Sequence, residues 1–361
     1  MVITYKDALI ALYYLGFWLR YFTEINILVF LAVLFGFCLL SSIYFSFNNH
    51  GAAKKDYIKN ILVVAIACIG ILVNKNHTLG DGILLLSWVS VGILLAYSDD
   101  RLDLFNRFNW ITFVVLLIRT IFAYINSTND LDIIVSGRIG SNSISIIAIQ
   151  CFFIDYICRK KKGKKTNYIM LTILMLVSLM SRGRMSILVT IILLIGVYLQ
   201  EDVKKTKKLL RYGFAIMLAL AMVVVCWDYL DNAISLFLQG DSSTRLYLWK
   251  HYYEMTKSSL IDVLFGVRNS IFSTDLALNH YRNLHNTFFN WHYFYGLLPC
   301  LYYILIIIGD LKREIKSKDY IMVVLLIVSI LKGMSDETTF SFMMMWIYIH
   351  CHKRTESLRR K

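Results

Sequence analysis

The sequence predicts an all-α polytopic membrane protein that crosses the bilayer about twelve times, and three observations predict it. Of 361 residues, 58% are hydrophobic, only 17% are charged and a single proline is present. An ordinary soluble domain carries about 25% charge. Disorder goes with low hydrophobicity and few aromatics, whereas 14% of these residues are aromatic. Neither 18 glycines nor 7 cysteines fits a collagen or a disulfide scaffold.

A span needs roughly 20 mainly apolar residues to cross about 30 Å of hydrocarbon, and fewer when packed inside protein. Spans are accordingly expected near 8–23, 25–46, 57–74, 79–97, 110–126, 144–158, 168–181, 185–200, 212–230, 286–309, 320–333 and 339–351. The first run, Ala8 to Tyr21, has the length of a signal peptide but no A-x-A-like cleavage site, and it leads almost directly into the next run. It is expected to be a retained first helix. Cys38, Cys68, Cys151, Cys158, Cys226, Cys300 and Cys351 lie in or beside apolar runs with no C-x-x-C pair, as small buried hydrophobes do.

Orientation follows from the basic residues that flank the spans. The run Arg159-Lys160-Lys161-Lys162-Gly163-Lys164-Lys165, the group from Lys204 to Arg211, the stretch Lys312 to Lys318 and the tail Arg359-Arg360-Lys361 fall in alternate connections. Both termini are therefore expected in the cytoplasm. The net charge of +14 is mostly this positive-inside bias and calls for no nucleic acid.

One connection is long. About 50 residues between Asp231 and His285 are too polar to span, and the topology puts them outside. Within them Trp249, Tyr252, Tyr253 and Leu260 recur at helical spacing, as in a helix lying on the bilayer interface. The chain, 1–361, thus reads as one integral membrane domain in which 231–285 is an extracytoplasmic loop carrying part of a site.

Basic residues outside or in the outer halves of spans are mostly arginine: Arg20, Arg119, Arg138, Arg182, Arg184, Arg245, Arg268 and Arg282. Arginine in or near a bilayer is costly and is usually paired or functional, and its planar fork suits phosphate oxygens. Pairing with Asp228, Asp241 or Glu254 is the competing account for any one of them. Ser181-Arg182-Gly183-Arg184 is the whole connection between two apolar runs, so two guanidiniums sit together at one membrane face. Headgroup snorkelling is the alternative there. His280-Tyr281-Arg282-Asn283-Leu284-His285-Asn286-Thr287 closes the long loop and opens the next span. A histidine at that boundary has an ordinary pKa near 6.5, suited to accepting a proton at neutral pH; a helix cap is the plainer role. His292 follows seven residues on, and two histidines without a third ligand are a weak metal signal. Asp130-Leu131-Asp132 formally matches D-x-D but faces away from cytoplasmic nucleotide sugars. No Walker loop, G-x-S-x-G elbow or H-E-x-x-H occurs.

The order of these motifs resembles the Wzy O-antigen polymerase and O-antigen ligase superfamily of bacterial surface-polysaccharide enzymes. The residues that carry the resemblance are Ser181-Arg182-Gly183-Arg184 between two spans, Ser243-Thr244-Arg245 with Trp249 four residues on, Leu264-Phe265-Gly266, and Leu284-His285-Asn286-Thr287-Phe288-Phe289 leading into a span that contains Gly296. The family's pattern is an "S-R-[GT]" segment, then an outer loop with "R-x-x-x-W", "plfG-x-G" and a closing "H-N-x-x-L". Here Arg268 stands at the second loop glycine, Val263 where proline is frequent, and Phe289 at the final leucine.

The resemblance implies a GT-C-like helical fold and a metal-independent, inverting glycosyl transfer at the outer face of the bacterial cytoplasmic (inner) membrane. The donor is an undecaprenyl-diphosphate-linked oligosaccharide, no cofactor is needed, and membrane lipids, a flippase and a chain-length regulator of the same pathway are the expected partners. In that chemistry His285 is the catalytic base; Arg182, Arg184, Arg245 and Arg282 bind the diphosphate; and Asn286, Arg138, Arg268 and Trp249 contact substrate. The products are O-antigen or capsular polysaccharide. A polymerase joining repeat units is preferred, with a ligase transferring to lipid A core as the close alternative. A flippase or transporter of lipid-linked sugar is the alternative of a different class, against which stand a single proline and no repeated halves.

Overall fold

The computed structural model describes residues 4–23, 25–47, 51–74, 78–125, 141–181, 184–200, 244–267, 284–335 and 339–359. Among the described residues the secondary structure is helical. The helices are α1 (Tyr5–Phe22), α2 (Ile27–Phe47), α3 (Gly51–Asn74), α4 (Leu79–Tyr97), α5 (Leu102–Ile125), α6 (Ser141–Lys161), α7 (Tyr168–Met180), α8 (Arg184–Gln200), α9 (Thr244–Thr256), α10 (Leu260–Phe265), α11 (Thr287–Tyr295), α12 (Leu297–Lys316), α13 (Tyr320–Ser335) and α14 (Thr339–Arg359). A short 3-10 turn, Asp99–Arg101, links α4 to α5.

Among the described residues four helices are long and apolar enough to cross a membrane: α2, α3, α4, and α5 together with the turn before it. The expected spans coincide with helices wherever they are described, and the one at 212–230 lies outside the described residues. The expected span 286–309 is two helices, because the chain breaks at Gly296.

The outer helices turn apolar faces outward. Leu28 of α2, Leu72 of α3 and Phe122 of α5 are 69%, 61% and 63% exposed. Water would penalise such faces, whereas acyl chains would not. By contrast α4 is buried along most of its length and packs on α14. One apolar cluster runs from Leu9 in α1 to Cys351 in α14. The described cysteines are free thiols, all buried except the half-buried Cys68; Cys226 lies outside the described residues.

Polar side chains bridge helices inside this apolar bundle. Trp18 Nε1 donates to Thr112 Oγ1 at 2.8 Å, Tyr97 Oη to Asp56 Oδ2 at 2.6 Å, and Trp110 Nε1 to Asp155 Oδ1 at 3.0 Å. They tie α1 to α5, α3 to α4 and α5 to α6, as expected where lipid offers no competing partner.

The bundle has two distinct ends. At the first, Lys6 meets Asp100 at 2.7 Å and Arg101 meets Asp7 at 3.0 Å. Lys160, Lys161 and Lys162 pair with Asp319, Asp99 and Asp103. The start of α1, the α4–α5 turn, the end of α6 and the α12–α13 turn are therefore together. At the second end, Asn74 Nδ2 at the close of α3 donates to the Tyr293 carbonyl at 2.7 Å, and Asn286 Nδ2 before α11 donates to the Met334 carbonyl near the close of α13 at 3.2 Å.

Candidate active site

The proposed histidine lies at this second end. Asn286 caps α11: its Oδ1 accepts from Phe288 N at 3.0 Å and Phe289 N at 3.2 Å. The capping role, one account of His285, thus belongs to its neighbour, as the strong preference for asparagine at that position dictates. His285 stands just before the cap, half-buried, with a left-handed φ of 49°. Left-handed backbone costs a residue with a Cβ about 1–2 kcal/mol and persists only where surroundings impose it.

Those surroundings are specific. Leu284 N donates to Asn290 Oδ1 at 2.9 Å, and the Leu284 carbonyl accepts from Trp249 Nε1 at 2.7 Å. On the other side the Asn286 amide grips both α11 and α13. Three side chains from the loop helix α9 and from the start and first turn of α11 therefore hold the peptide units flanking His285. Asn290 and Leu284 are fully buried, so these bonds form away from water.

Trp249 and Asn286, expected to contact substrate, are placed as braces of the histidine turn. Trp249 also meets the Phe289 ring edge-on, with centroids 5.5 Å apart. His292 is absorbed by packing. Its Nε2 lies 2.6 Å from the Val263 carbonyl, which only accepts, so the proton is on Nε2 and Nδ1 accepts from Tyr252 Oη. With both nitrogens so used, His292 is not poised to share a metal with His285. Among the described residues no group of three or more His, Cys, Asp or Glu could hold a metal ion.

The loop helices clasp the break between α11 and α12 through two glycines. Gly266, at φ 83°, is where a Cβ would stand 2.5 Å from the carbonyl oxygens of His292 and Tyr293. Gly296, at φ 82°, is where one would stand 2.5 Å from the Leu264 carbonyl oxygen. Only glycine tolerates both the dihedral and the approach. The expected interfacial helix is α9 followed by the separate α10, which Ser259 caps. Leu248 and Tyr252 pack inward, whereas Tyr253 and Leu260 are exposed.

The arginine turn is reached through a chain of small polar contacts. Ser181 closes α7, buried, with its hydroxyl on the Ser178 carbonyl at 2.9 Å. Ser178 bonds Thr190 at 2.9 Å across to α8, and Ser145 near the start of α6 donates to Ser186 in the first turn of α8. Lys332, fully buried in the last turn of α13, donates to the same Ser186 Oγ at 3.0 Å. Two residues on, Met334 holds Asn286. The starts of α6 and α8, the close of α13 and the approach to α11 are thereby tied together.

Arg138, Arg182, Arg268 and Arg282 lie outside the described residues, as do Asp130, Asp132, Asp228 and Asp241. Arg184 and Arg245 are described by backbone alone: the first opens α8 and the second lies in the first turn of α9. Glu254, a candidate partner for the arginines, lies 3.8 Å from Lys257. Arg20 and Arg119 lie over aromatic rings, the latter 5.6 Å from the centroid of Phe22. Lys332 was not singled out in the sequence, although a lysine within the predicted span 320–333 is a functional signal. No protein-family model matches this chain, and no curated protein matches it.

Proposed function

We propose that the protein is a polysaccharide polymerase of the cytoplasmic membrane, joining undecaprenyl-diphosphate-linked oligosaccharide repeat units at the outer face. The observation that carries the reading is the turn at His285. A half-buried imidazole is presented in a costly backbone conformation, braced on both sides, beside a span and a loop whose motifs resemble those of a family of lipid-linked glycosyl transfer. Costly conformations so braced cluster at functional sites.

The chemistry asked of these residues balances simply. A hydroxyl of the acceptor sugar attacks the anomeric carbon of the donor from the face opposite the diphosphate. The new C–O bond forms as the bond to the diphosphate oxygen breaks, the hydroxyl proton passes to His285, and undecaprenyl diphosphate leaves with inversion. A positioned base of this kind contributes about 10²- to 10⁴-fold. The leaving group needs cations aimed at its developing charge rather than an acid, a task for Arg182, Arg184, Arg245 and Arg282, each worth about 10²- to 10³-fold.

The test is gel analysis of surface polysaccharide in a deletion strain complemented with wild type, His285→Ala or Arg245→Ala, with membrane expression checked. The reading expects a single repeat unit on its anchor in the deletion, and a ladder restored by wild type but by neither variant. Long chains in both variants would sink the site assignment. Polymer stranded on the lipid carrier would replace polymerase with ligase, and loss of all outer-face saccharide would replace it with a transporter.

A further inference from the structure

The loop helix α10 turns apolar side chains away from the protein. Leu260 is 72% exposed, and Ile261 and Leu264 are exposed beside it. The inward side is fixed by polar contacts. Buried Asp262 accepts from Ser258 Oγ at 2.9 Å and from Ser259 Oγ at 2.7 Å, and the Val263 carbonyl accepts from His292 Nε2 at 2.6 Å. These bonds set the rotation of α10, so its leucines and isoleucine are held outward. Water would penalise such a face.

The surroundings of α10 point to what covers it. It packs on α3, α11 and α12, and its Leu264 carbonyl lies against Gly296, immediately before α12. The close of α3 stands at the same level, because Asn74 donates to the Tyr293 carbonyl and Gly70 lies against the Tyr295 carbonyl. At that level Ile69 and Leu72 of α3, and Leu298 and Leu301 of α12, also face outward. The outward residues of α10 thus continue the apolar surfaces of two helices, one of which is long and apolar enough to cross a membrane. One turn before Leu260, the Lys257 ammonium lies 3.9 Å from the centroid of the exposed Tyr253 ring, and 3.8 Å from Glu254. A basic side chain beside an aromatic ring is suited to the headgroup level.

We propose that α10 is embedded in the bilayer leaflet at the histidine end of the bundle, with Leu260, Ile261 and Leu264 among acyl chains and Tyr253 and Lys257 among headgroups. The occupant of this face is phospholipid, because the face is continuous with the lipid-type surfaces of α3 and α12. An element of this kind is held by the apolar area it buries in the leaflet. The lipid contact of the loop falls on α10 and the turn before it rather than along α9, whose Trp249 and Tyr252 are engaged by Leu284, Phe289 and His292. The loop is thereby held by lipid as well as by its two glycines.

The experiment uses the full chain in vesicles of phosphatidylethanolamine and phosphatidylglycerol. A nitroxide is attached at Leu260→Cys, Ile261→Cys, Leu264→Cys or Glu254→Cys. Its relaxation by oxygen, which concentrates among acyl chains, is compared with that by a neutral nickel chelate, which stays in the water on both sides. The unsubstituted chain, labelled in parallel, gives the background of the native cysteines, which are buried or half-buried where described. We expect oxygen to prevail at 260, 261 and 264, with loss of nickel relaxation there, and nickel to prevail at 254. Nickel prevailing on α10 would make the face solvated and overturn the inference. Labels reached by neither reagent would mean that protein covers it, whether a second copy or another segment of this chain, and would overturn it equally. Oxygen prevailing at 254 as well would put α9 in lipid and overturn the assignment to α10. Any two α10 positions decide, so loss of one variant leaves the test intact. None of these outcomes bears on the chemistry assigned to His285, which His285→Ala tests separately.

Discussion

His285 combines an imidazole side chain with a backbone that histidine adopts only under constraint. Its φ of 49° predicts a separation between two variants that both abolish the base. Alanine keeps the left-handed penalty of about 1–2 kcal/mol, whereas glycine removes it at an entropic cost of about 0.5–1 kcal/mol. His285→Gly is therefore expected to unfold at higher temperature than His285→Ala, by about 1 kcal/mol, with neither forming long chains. Equal or reversed thermal midpoints would show that the turn is not strained. Trp249→Phe keeps the ring contact with Phe289 and deletes the N–H that holds the Leu284 carbonyl. About 1 kcal/mol of stability is expected to go, with polymerisation slowed about 10-fold because the histidine turn loosens. A normal ladder from a less stable protein would make Trp249 scaffold and nothing more.

At the scale of elements, the loop motif and the span motif are two halves of one clasp. A Cβ at Gly266 would stand 2.5 Å from the His292 and Tyr293 carbonyl oxygens near the close of α11, and one at Gly296 would stand 2.5 Å from the Leu264 carbonyl oxygen of α10. Gly296→Ala is expected to cost about 2 kcal/mol or more, since it combines a left-handed alanine with a collision against the Leu264 carbonyl. Limited proteolysis should then cut at Lys257, between α9 and α10, faster than in wild type, and unchanged cutting would mean that the clasp does not hold the loop. The end of α13 is the other joint. It touches the first turn of α8 through Lys332 and the α11 cap through Met334.

Across the whole molecule, one end is closed by ion pairs and the other carries the histidine turn. The basic run at the end of α6 reads as a positive-inside signal, and Lys160, Lys161 and Lys162 in it reach carboxylates on two other segments, the α12–α13 turn and the α4–α5 turn with the first turn of α5. Pairs near the surface add little stability each, but together with Lys6–Asp100 and Arg101–Asp7 they gather at one end the segments that the positive-inside reading expects in the cytoplasm. Reporter fusions check that assignment. Alkaline phosphatase joined after Gly163 is expected to be inactive and green fluorescent protein there to be bright, with the reverse after Lys257. Phosphatase activity at Gly163 would invert the protein in the membrane and place His285 on the cytoplasmic side.

Much of this was legible in the chain itself, because it depends on short-range physics. Apolar runs of span length must form helices where no water can satisfy the backbone, and the described helices fall on those runs. What only tertiary structure decided is which polar groups meet. That Trp249 grips Leu284, that His292 is bound by Tyr252 and Val263, and that Lys332 lies against Ser186 are contacts between segments far apart in sequence. Periodicity places a residue on a helix face, but the partner on that face is chosen by how the helices pack, and packing is a property of the whole bundle.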